Sequence, residues 1–190
     1  MPFKPGPDLK AGLFGTKTPP SMPSIASTIN PPKPPPASGP KGLRVEDRIG
    51  IQAPAEVIWE IVKDLERWGE WNPTYPEAHG QVRIGEVLSV KLVLPGQPVQ
   101  MLAPKVLDWV PNEQLHWQLT MMGGLIKTVR YVEIEARGEQ NCIVDNGEIF
   151  GGLMGPSLGK RMGRTIQRGF KAMNEALKDR AEAQWRARQG

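Results

Sequence analysis

The sequence predicts an α+β domain in which a seven-stranded antiparallel sheet packs with a long C-terminal helix. Residues 44–53 alternate apolar and polar side chains, as a half-buried strand does. The same two-residue period recurs from residue 77 to 150, where the short turns between segments are typical of antiparallel neighbours. Residues 158–186 place apolar side chains at spacings of three and four, which is the period of an amphipathic helix.

A proline-rich segment precedes the predicted domain. Twelve of the twenty prolines lie within the first forty residues. Proline lacks an N–H and fixes φ, and few large apolar side chains are present there to offset the entropy of ordering. We therefore predict that residues 1–42 form a disordered or polyproline-II tail and that residues 43–190 form the folded domain. The tail is interpreted as a spacer, with binding to a proline-recognising module as the alternative.

An amphipathic helix is predicted directly after the first strand. Pro54 suits the first turn of a helix, where a missing N–H costs nothing. Apolar residues then recur at helical spacing over 54–67, namely Val57, Ile58, Ile61, Val62 and Leu65. The segment 68–73, Trp-Gly-Glu-Trp-Asn-Pro, ends this helix.

Six further strands are predicted, near residues 78–84, 86–94, 99–110, 114–122, 126–136 and 141–150. The turns between them carry residues that favour turn conformations: Gly85, Pro95-Gly96, Pro111-Asn112, Gly123-Gly124 and 138–140. In the last helix, Gly159, Gly163 and Gly169 indicate either close backbone approach to a neighbour or space left above the sheet, although simple tolerance is an alternative.

Composition excludes several classes of site and protein. The single cysteine, Cys142, rules out an internal disulfide and a multi-cysteine metal site, and the two distant histidines argue against a histidine metal centre. We expect no metal and no cofactor. No run of about 18 apolar residues is present, and the N-terminal residues lack the apolar core of a secretory signal. The expected location is therefore cytoplasmic.

Charge is segregated along the chain, although the net charge is only +4. Residues 1–42 carry five lysines and one acid, and residues 158–190 carry nine basic and three acidic residues. The segment between them has ten basic and sixteen acidic residues. Basic ends favour anionic partners, whereas a solvated helix face is the plainer interpretation.

Four segments of the sequence are similar to those of a known family: 53–59 (APAEVIW), 68–73 (WGEWNP), 148–153 (EIFGGL) and 169–178 (GFKAMNEALK). They resemble the START/SRPBCC superfamily, and specifically its bacterial polyketide cyclase/dehydrase and lipid transport branch. The resemblance covers about residues 43–183. It implies the helix-grip fold, with the seven-stranded antiparallel sheet curved around the long C-terminal helix. It also implies a cavity between sheet and helix that binds a hydrophobic small molecule.

The pattern of alternation places two charged residues on the cavity face. Arg130 shares a strand face with Ile126, Thr128 and Val132, and Glu148 shares one with Val144 and Phe150. An unpaired buried charge is costly, so we expect Arg130 and Glu148 to pair. The functional hypothesis is that Arg130, oriented by Glu148, receives a carboxylate, phenol or enolate of the ligand. The alternative is a charge pair without a ligand role.

The remaining candidate ligand-binding residues are aromatic and flexible apolar side chains. With Arg130 and Glu148, the predicted set is completed by Trp71, Trp117, Met121, Met162, Ile166 and Phe170. Packing is the alternative for each of them, because aromatic and methionine side chains also fill ordinary cores. Tyr131 and His116 are predicted to face away from the cavity, and no catalytic residue is assigned.

The sequence thus predicts a carrier or sensor that binds a lipid or an aromatic, polyketide-like molecule. The alternative is a cyclase/aromatase-type enzyme that uses the same cavity. The basic face of the C-terminal helix is expected to make transient contact with anionic membrane. Specific nucleic-acid binding is not expected, because aromatic residues do not interleave with the basic stripe.

Overall fold

Local sequence signals account for most of the observed elements. The computed structural model describes residues 42–190, so the predictions for the tail fall on residues outside the described part, apart from Gly42. The strands are β1 Leu43–Ile51, β2 Glu77–His79, β3 Ser89–Leu92, β4 Gln100–Leu102, β5 Lys105–Val110, β6 Gln114–Met121, β7 Ile126–Gly138 and β8 Asn141–Gly151. The helices are α1 Ala55–Lys63 and α2 Gly155–Gln189, with short 3₁₀ helices at Leu65–Glu70 and Met122–Gly124.

The strands form two antiparallel sheets. The larger has the order β1-β8-β7-β6-β5, and the smaller has the order β2-β3-β4. A bridge between Val87 and Lys105 connects them. The structure therefore has eight described strands in sheets of five and three, where seven strands in a single sheet were predicted.

Proline explains this difference in strand count. The predicted strand 99–110 is divided between β4 and β5 at Ala103-Pro104. Pro104 has no N–H to donate to a ladder, although its carbonyl accepts a hydrogen bond from the Leu88 N–H at 2.8 Å. The chain therefore leaves the small sheet at this point and joins the large one. The predicted helix 54–67 is also shorter, since α1 ends at Lys63 and a 3₁₀ helix follows.

Helix α2 lies close to β1 at Gly159 and close to the loop between β3 and β4 at Gly169. A Cβ at Gly159 would lie 2.6 Å from Leu43 Cδ2, and one at Gly169 would lie 2.6 Å from Leu94 Cδ2. Of the three interpretations of these glycines (close approach, space above the sheet and simple tolerance), Gly159 and Gly169 show close approach. The predicted apolar stripe runs from Leu158 to Ala181; it is buried from Ile166 onward, while Leu158 and Met162 are partly buried.

The core is divided along α2. Its C-terminal half packs with α1 and the sheet in a large apolar cluster that includes Trp68, Val132 and Leu177. Its N-terminal half contributes Ile166 and Phe170 to a much smaller cluster. Because fewer buried side chains fill this half, the interior is less completely packed there.

A buried amide pair connects α2 to the sheet. Asn146 on β8 donates to Asn174 Oδ1 on α2 at 2.9 Å, and both side chains are fully buried. Asn174 in turn donates to the Asp47 carboxylate on β1 at 2.7 Å. These bonds fix the position of α2 over the sheet, because a shift of the helix would leave buried polar groups unpaired.

We predict that Asn174→Ala destabilises the fold by about 2–4 kcal/mol, since it leaves polar groups of Asn146 and Asp47 without a partner. Urea unfolding followed by tryptophan fluorescence measures this change. The adjacent exposed residue supplies a control, because Glu175→Ala should change stability by less than about 0.5 kcal/mol. Equal effects of the two substitutions would contradict the prediction.

Candidate functional site

A cavity of about 260 Å³ lies between the two sheets and the N-terminal half of α2. Helix α2 contributes Leu158, Met162, Ile166 and Phe170 to its wall. The strands and loops contribute Tyr75, Val90, Leu92, Leu94, Gln100, Leu102, Pro104, Trp117, Leu119, Met121, Met122, Ile126, Thr128, Arg130, Glu148 and Phe150. The lining is predominantly apolar with a few polar groups, which is the usual composition of a small-molecule site.

Arg130 on β7 is the buried cation of this cavity, with only 2% of the residue exposed. Its Nη1 donates to two backbone carbonyls, those of Tyr131 at 2.9 Å and Gly147 at 2.8 Å. Its Nε donates to the Tyr75 hydroxyl at 3.4 Å. Nη2 has Met173 Sδ as its acceptor among the described residues, at 3.7 Å, and a thioether sulfur accepts weakly.

Aromatic rings surround the guanidinium. Its Cζ lies 3.8 Å from the centre of the Phe170 ring and 5.5 Å from that of Trp117. Tyr75 is the third ring, at 5.9 Å. A desolvated cation–π contact contributes about 2 kcal/mol, so these rings stabilise a positive charge in an otherwise apolar interior.

Glu148 on β8 lines the same cavity and is directly opposite Arg130 in the strand register. Burial raises the pKa of the Glu148 carboxyl above its ordinary value. A hydrogen bond with Thr128 and the charge of Arg130 act in the opposite direction. Since burial prevails, the site favours a protonated Glu148 more than water does.

The expected ion pair between Arg130 and Glu148 is wrong. Residues 42–190 form several ion pairs in which the nitrogen and oxygen lie within 4 Å of each other, and none of these pairs joins Arg130 to Glu148. The alternation of the strands did place both residues on the cavity side. However, the guanidinium is held by backbone carbonyls and rings, so it does not depend on the carboxylate for its partners.

A match to a family model covers residues 42–182, which is most of the chain. The model describes polyketide cyclase / dehydrase and lipid transport proteins. The chain belongs to this polyketide cyclase/dehydrase and lipid transport family. A comparison with curated proteins finds no match.

Several solved structures share this fold. The Zhui aromatase/cyclase from Streptomyces sp. R1128 is 16% identical with a TM-score of 0.64, over 79% of this chain and 99% of that one. A START superfamily protein from Mycobacterium smegmatis is 22% identical with a TM-score of 0.57, over 74% and 97%. A norcoclaurine synthase point mutant from Thalictrum flavum is 16% identical with a TM-score of 0.58, over 77% and 98%. At these identities the likeness shows the fold.

Seven of the eight predicted ligand-binding residues line the cavity of this family member. They are Arg130, Glu148, Trp117, Met121, Met162, Ile166 and Phe170. The eighth, Trp71, lies instead in a surface cleft of about 790 Å³ with Trp59, Trp109 and Arg180. Trp71 follows the 3₁₀ helix, and its ring packs edge-on against Trp68, outside the lining of the cavity.

Tyr75 is the main cavity residue that the sequence prediction omitted. The Asn72 side chain accepts hydrogen bonds from the backbone N–H groups of Thr74 at 3.1 Å and Tyr75 at 3.0 Å. The Thr74 hydroxyl then donates to the Gly169 carbonyl on α2 at 2.7 Å. The Asn-Pro sequence was a readable turn signal, but which way Tyr75 points depends on this contact with α2.

Tyr131 and His116 lie on the sheet face opposite the cavity, as the alternation predicts. Tyr131 is nevertheless buried, since its ring packs over Gly147 and its hydroxyl donates to Glu46 at 2.7 Å. His116 Nε2 lies 2.9 Å from a Glu133 oxygen. Neither group reaches the cavity side of the sheet.

A pH-dependent stability follows from Glu148. Because its folded pKa is raised, the folded state binds the proton more tightly, and the contribution of Glu148 to stability falls as pH rises through the window above its ordinary value. Glu148→Gln removes this loss while keeping an acceptor for Thr128. We predict that the variant raises the melting temperature by a few degrees near pH 8 and by much less near pH 4.

Scanning calorimetry at the two pH values measures this difference. The exposed Glu56 supplies the control, because Glu56→Gln should show no gain that grows with pH. A Glu148→Gln variant that is stabilised equally at both pH values would contradict the account.

Proposed function

We propose that the protein binds a small hydrophobic molecule that carries an oxygen acceptor, with that oxygen placed against Arg130. The observation that carries this proposal is the hydrogen-bonding state of the guanidinium. Arg130 lines the cavity, and the acceptor of its Nη2 among the described residues is a thioether. A carboxylate, phenolate or carbonyl oxygen is a far stronger acceptor, and a charge-assisted hydrogen bond contributes about 1.5–3 kcal/mol.

The volume of the cavity limits the size of the ligand. About 260 Å³ is slightly below the range of roughly 300–1,000 Å³ that drug-sized ligands occupy. Diacyl lipids are larger than such ligands. The dimensions therefore favour one or two fused rings, or a single short chain, over a membrane lipid with two acyl chains.

The lining supports a ligand with an aromatic or polyketide-like body. The Trp117 and Phe170 rings offer flat apolar surfaces close to Arg130. The thioethers of Met121 and Met162 line the same space, and flexible methionine side chains adapt to ligands of irregular shape. Carriage or sensing of such a molecule requires only this cavity.

A cyclase/aromatase-type activity is the second candidate, and one observation favours it. Glu148 is a carboxyl of raised pKa that lines the same cavity as a guanidinium. As an enolate carbon of the ligand, stabilised by Arg130, forms a bond to a carbonyl carbon of the same molecule, a protonated Glu148 could donate its proton to that carbonyl oxygen and become a carboxylate. Two similar structures are described as an aromatase/cyclase and a norcoclaurine synthase, which agrees with such chemistry in this fold.

Calorimetric titration with three naphthalene derivatives tests the binding proposal. We predict that 2-naphthoic acid binds about ten- to a hundredfold more tightly than 2-methylnaphthalene, because only the acid offers an acceptor to Arg130. The phenol 2-naphthol should fall between them. Equal affinities for all three would remove the role of Arg130.

A matched pair of substitutions on α2 tests the location. Ile166 lines the cavity and its neighbour Thr165 does not, so Ile166→Trp should weaken 2-naphthoic acid binding at least about tenfold by filling the cavity. Thr165→Trp should leave the affinity unchanged. Equal losses in the two variants, or none in either, would place the ligand elsewhere.

Glu148→Gln separates carriage from catalysis. If the protein is a carrier, the variant keeps its affinity for neutral ligands and no ligand is chemically altered by either protein. If it is a cyclase, the wild-type protein converts an aromatic poly-β-ketone and Glu148→Gln lowers that rate by about two orders of magnitude or more, as expected for loss of general acid catalysis. Mass spectrometry of the incubated substrate distinguishes the two cases.

A further inference from the structure

Four large apolar side chains are exposed on two adjacent loops. Leu153 and Met154 lie between β8 and α2 and are 84% and 42% exposed. Met122 and Leu125 lie between β6 and β7 and are 61% and 41% exposed. We call these four residues the mouth rim. Soluble surfaces seldom gather large apolar groups in this way without a binding role.

Backbone contacts hold the two loops of the mouth rim together. The Met154 N–H donates to the Leu125 carbonyl at 3.0 Å, and the Leu125 N–H donates to the Met122 carbonyl at 3.3 Å. Gly152 has a φ of +79°, and a Cβ there would lie 2.5 Å from the Leu125 oxygen. The rim is therefore a single apolar surface patch built from both loops.

The cavity reaches the surface at this rim. Met122 is a cavity-lining residue and is also one of the most exposed apolar side chains. Its neighbour Met121 and Leu158, near the start of α2, line the same cavity. An object that covers the mouth rim would thus face the opening.

Basic residues follow the rim along the N-terminal half of α2. Residues 149–174 contain no acidic residue, while they contain five basic ones: Lys160, Arg161, Arg164, Arg168 and Lys171. All five are exposed. In the described residues, Lys160, Arg161 and Arg164 take part in no ion pair, whereas Lys171 lies 3.9 Å from Glu175. The apolar side chains of the rim match the acyl-chain region of a bilayer, and the unpaired cations beside them match its anionic headgroups.

We propose that the mouth rim inserts into anionic phospholipid bilayers, with Lys160, Arg161 and Arg164 contacting the headgroups. The cavity mouth then faces the lipid, so an apolar ligand could pass between membrane and cavity without crossing water. Nucleic acid fits this surface less well, because the two aromatic residues in 149–174, Phe150 and Phe170, are buried and cannot stack on bases. The docking itself does not require an occupied cavity.

Sedimentation of the full chain with lipid vesicles tests the proposal. The protein should bind vesicles of phosphatidylcholine with 30% phosphatidylserine and should not bind pure phosphatidylcholine. Leu153→Ser should reduce the partition coefficient about tenfold, because it removes an apolar side chain that the proposal buries in the bilayer. Arg161→Gln should reduce it about fivefold, as the loss of one basic residue near the surface predicts.

Two matched variants control for changes elsewhere. Ile84→Ser removes an apolar side chain that lies outside the rim and is 63% exposed. Arg186→Gln removes a cation that lies about 37 Å from Arg161 along α2. Both should retain wild-type binding to vesicles. If 2-naphthoic acid binds in the cavity of the wild-type protein, all four variants should bind it with the wild-type affinity. A wild-type protein that binds vesicles but does not bind 2-naphthoic acid would count against the proposed function and not against docking.

Two results would overturn the membrane proposal. One is vesicle binding that Leu153→Ser leaves unchanged, which would mean that the rim does not insert. The other is binding of a single-stranded RNA that Arg161→Gln weakens while vesicle binding stays at the wild-type level.

Discussion

The candidate site depends on how Arg130 is kept as a buried cation without a paired carboxylate. Two backbone carbonyls satisfy its Nη1, and the Phe170 ring on α2 lies against the guanidinium. An uncompensated charge in an apolar interior is ordinarily expensive, so these contacts are what allow the charge to remain there. The result is a strong hydrogen-bond donor facing a cavity of apolar walls, which is the feature that favours a ligand with an oxygen acceptor.

That arrangement requires α2 to pack at a fixed distance from the sheet. The close approaches at Gly159 and Gly169 let the helix pack near β1 and the loop before β4, and the Asn146–Asn174 hydrogen bond fixes its position along the sheet. Dense packing with α1 occupies one half of the interface. The other half keeps the unfilled space that forms the cavity. Stability and binding capacity are therefore located in different halves of the same helix.

The sequence predicted most of this fold because its signals are local and repeated. Alternation in β7 and β8 assigned Arg130 and Glu148 to the cavity face, and the apolar stripe of α2 identified Met162, Ile166 and Phe170. Where prediction was wrong, a long-range contact decided the outcome. Trp71 follows an irregular turn whose direction periodicity cannot give, and Arg130 has more than one way to satisfy its donors. The division of one predicted strand at Pro104 was readable, since proline lacks the N–H that a ladder needs.

A crystal structure of the protein with 2-naphthoic acid tests the central claim most directly. The account predicts that the ring system lies between Trp117 and α2 and that a carboxylate oxygen lies within about 3.2 Å of an Arg130 nitrogen. A naphthoate that instead occupies the surface cleft beside Trp71 and Trp109, with Arg130 still bonded only to its present partners, would contradict it.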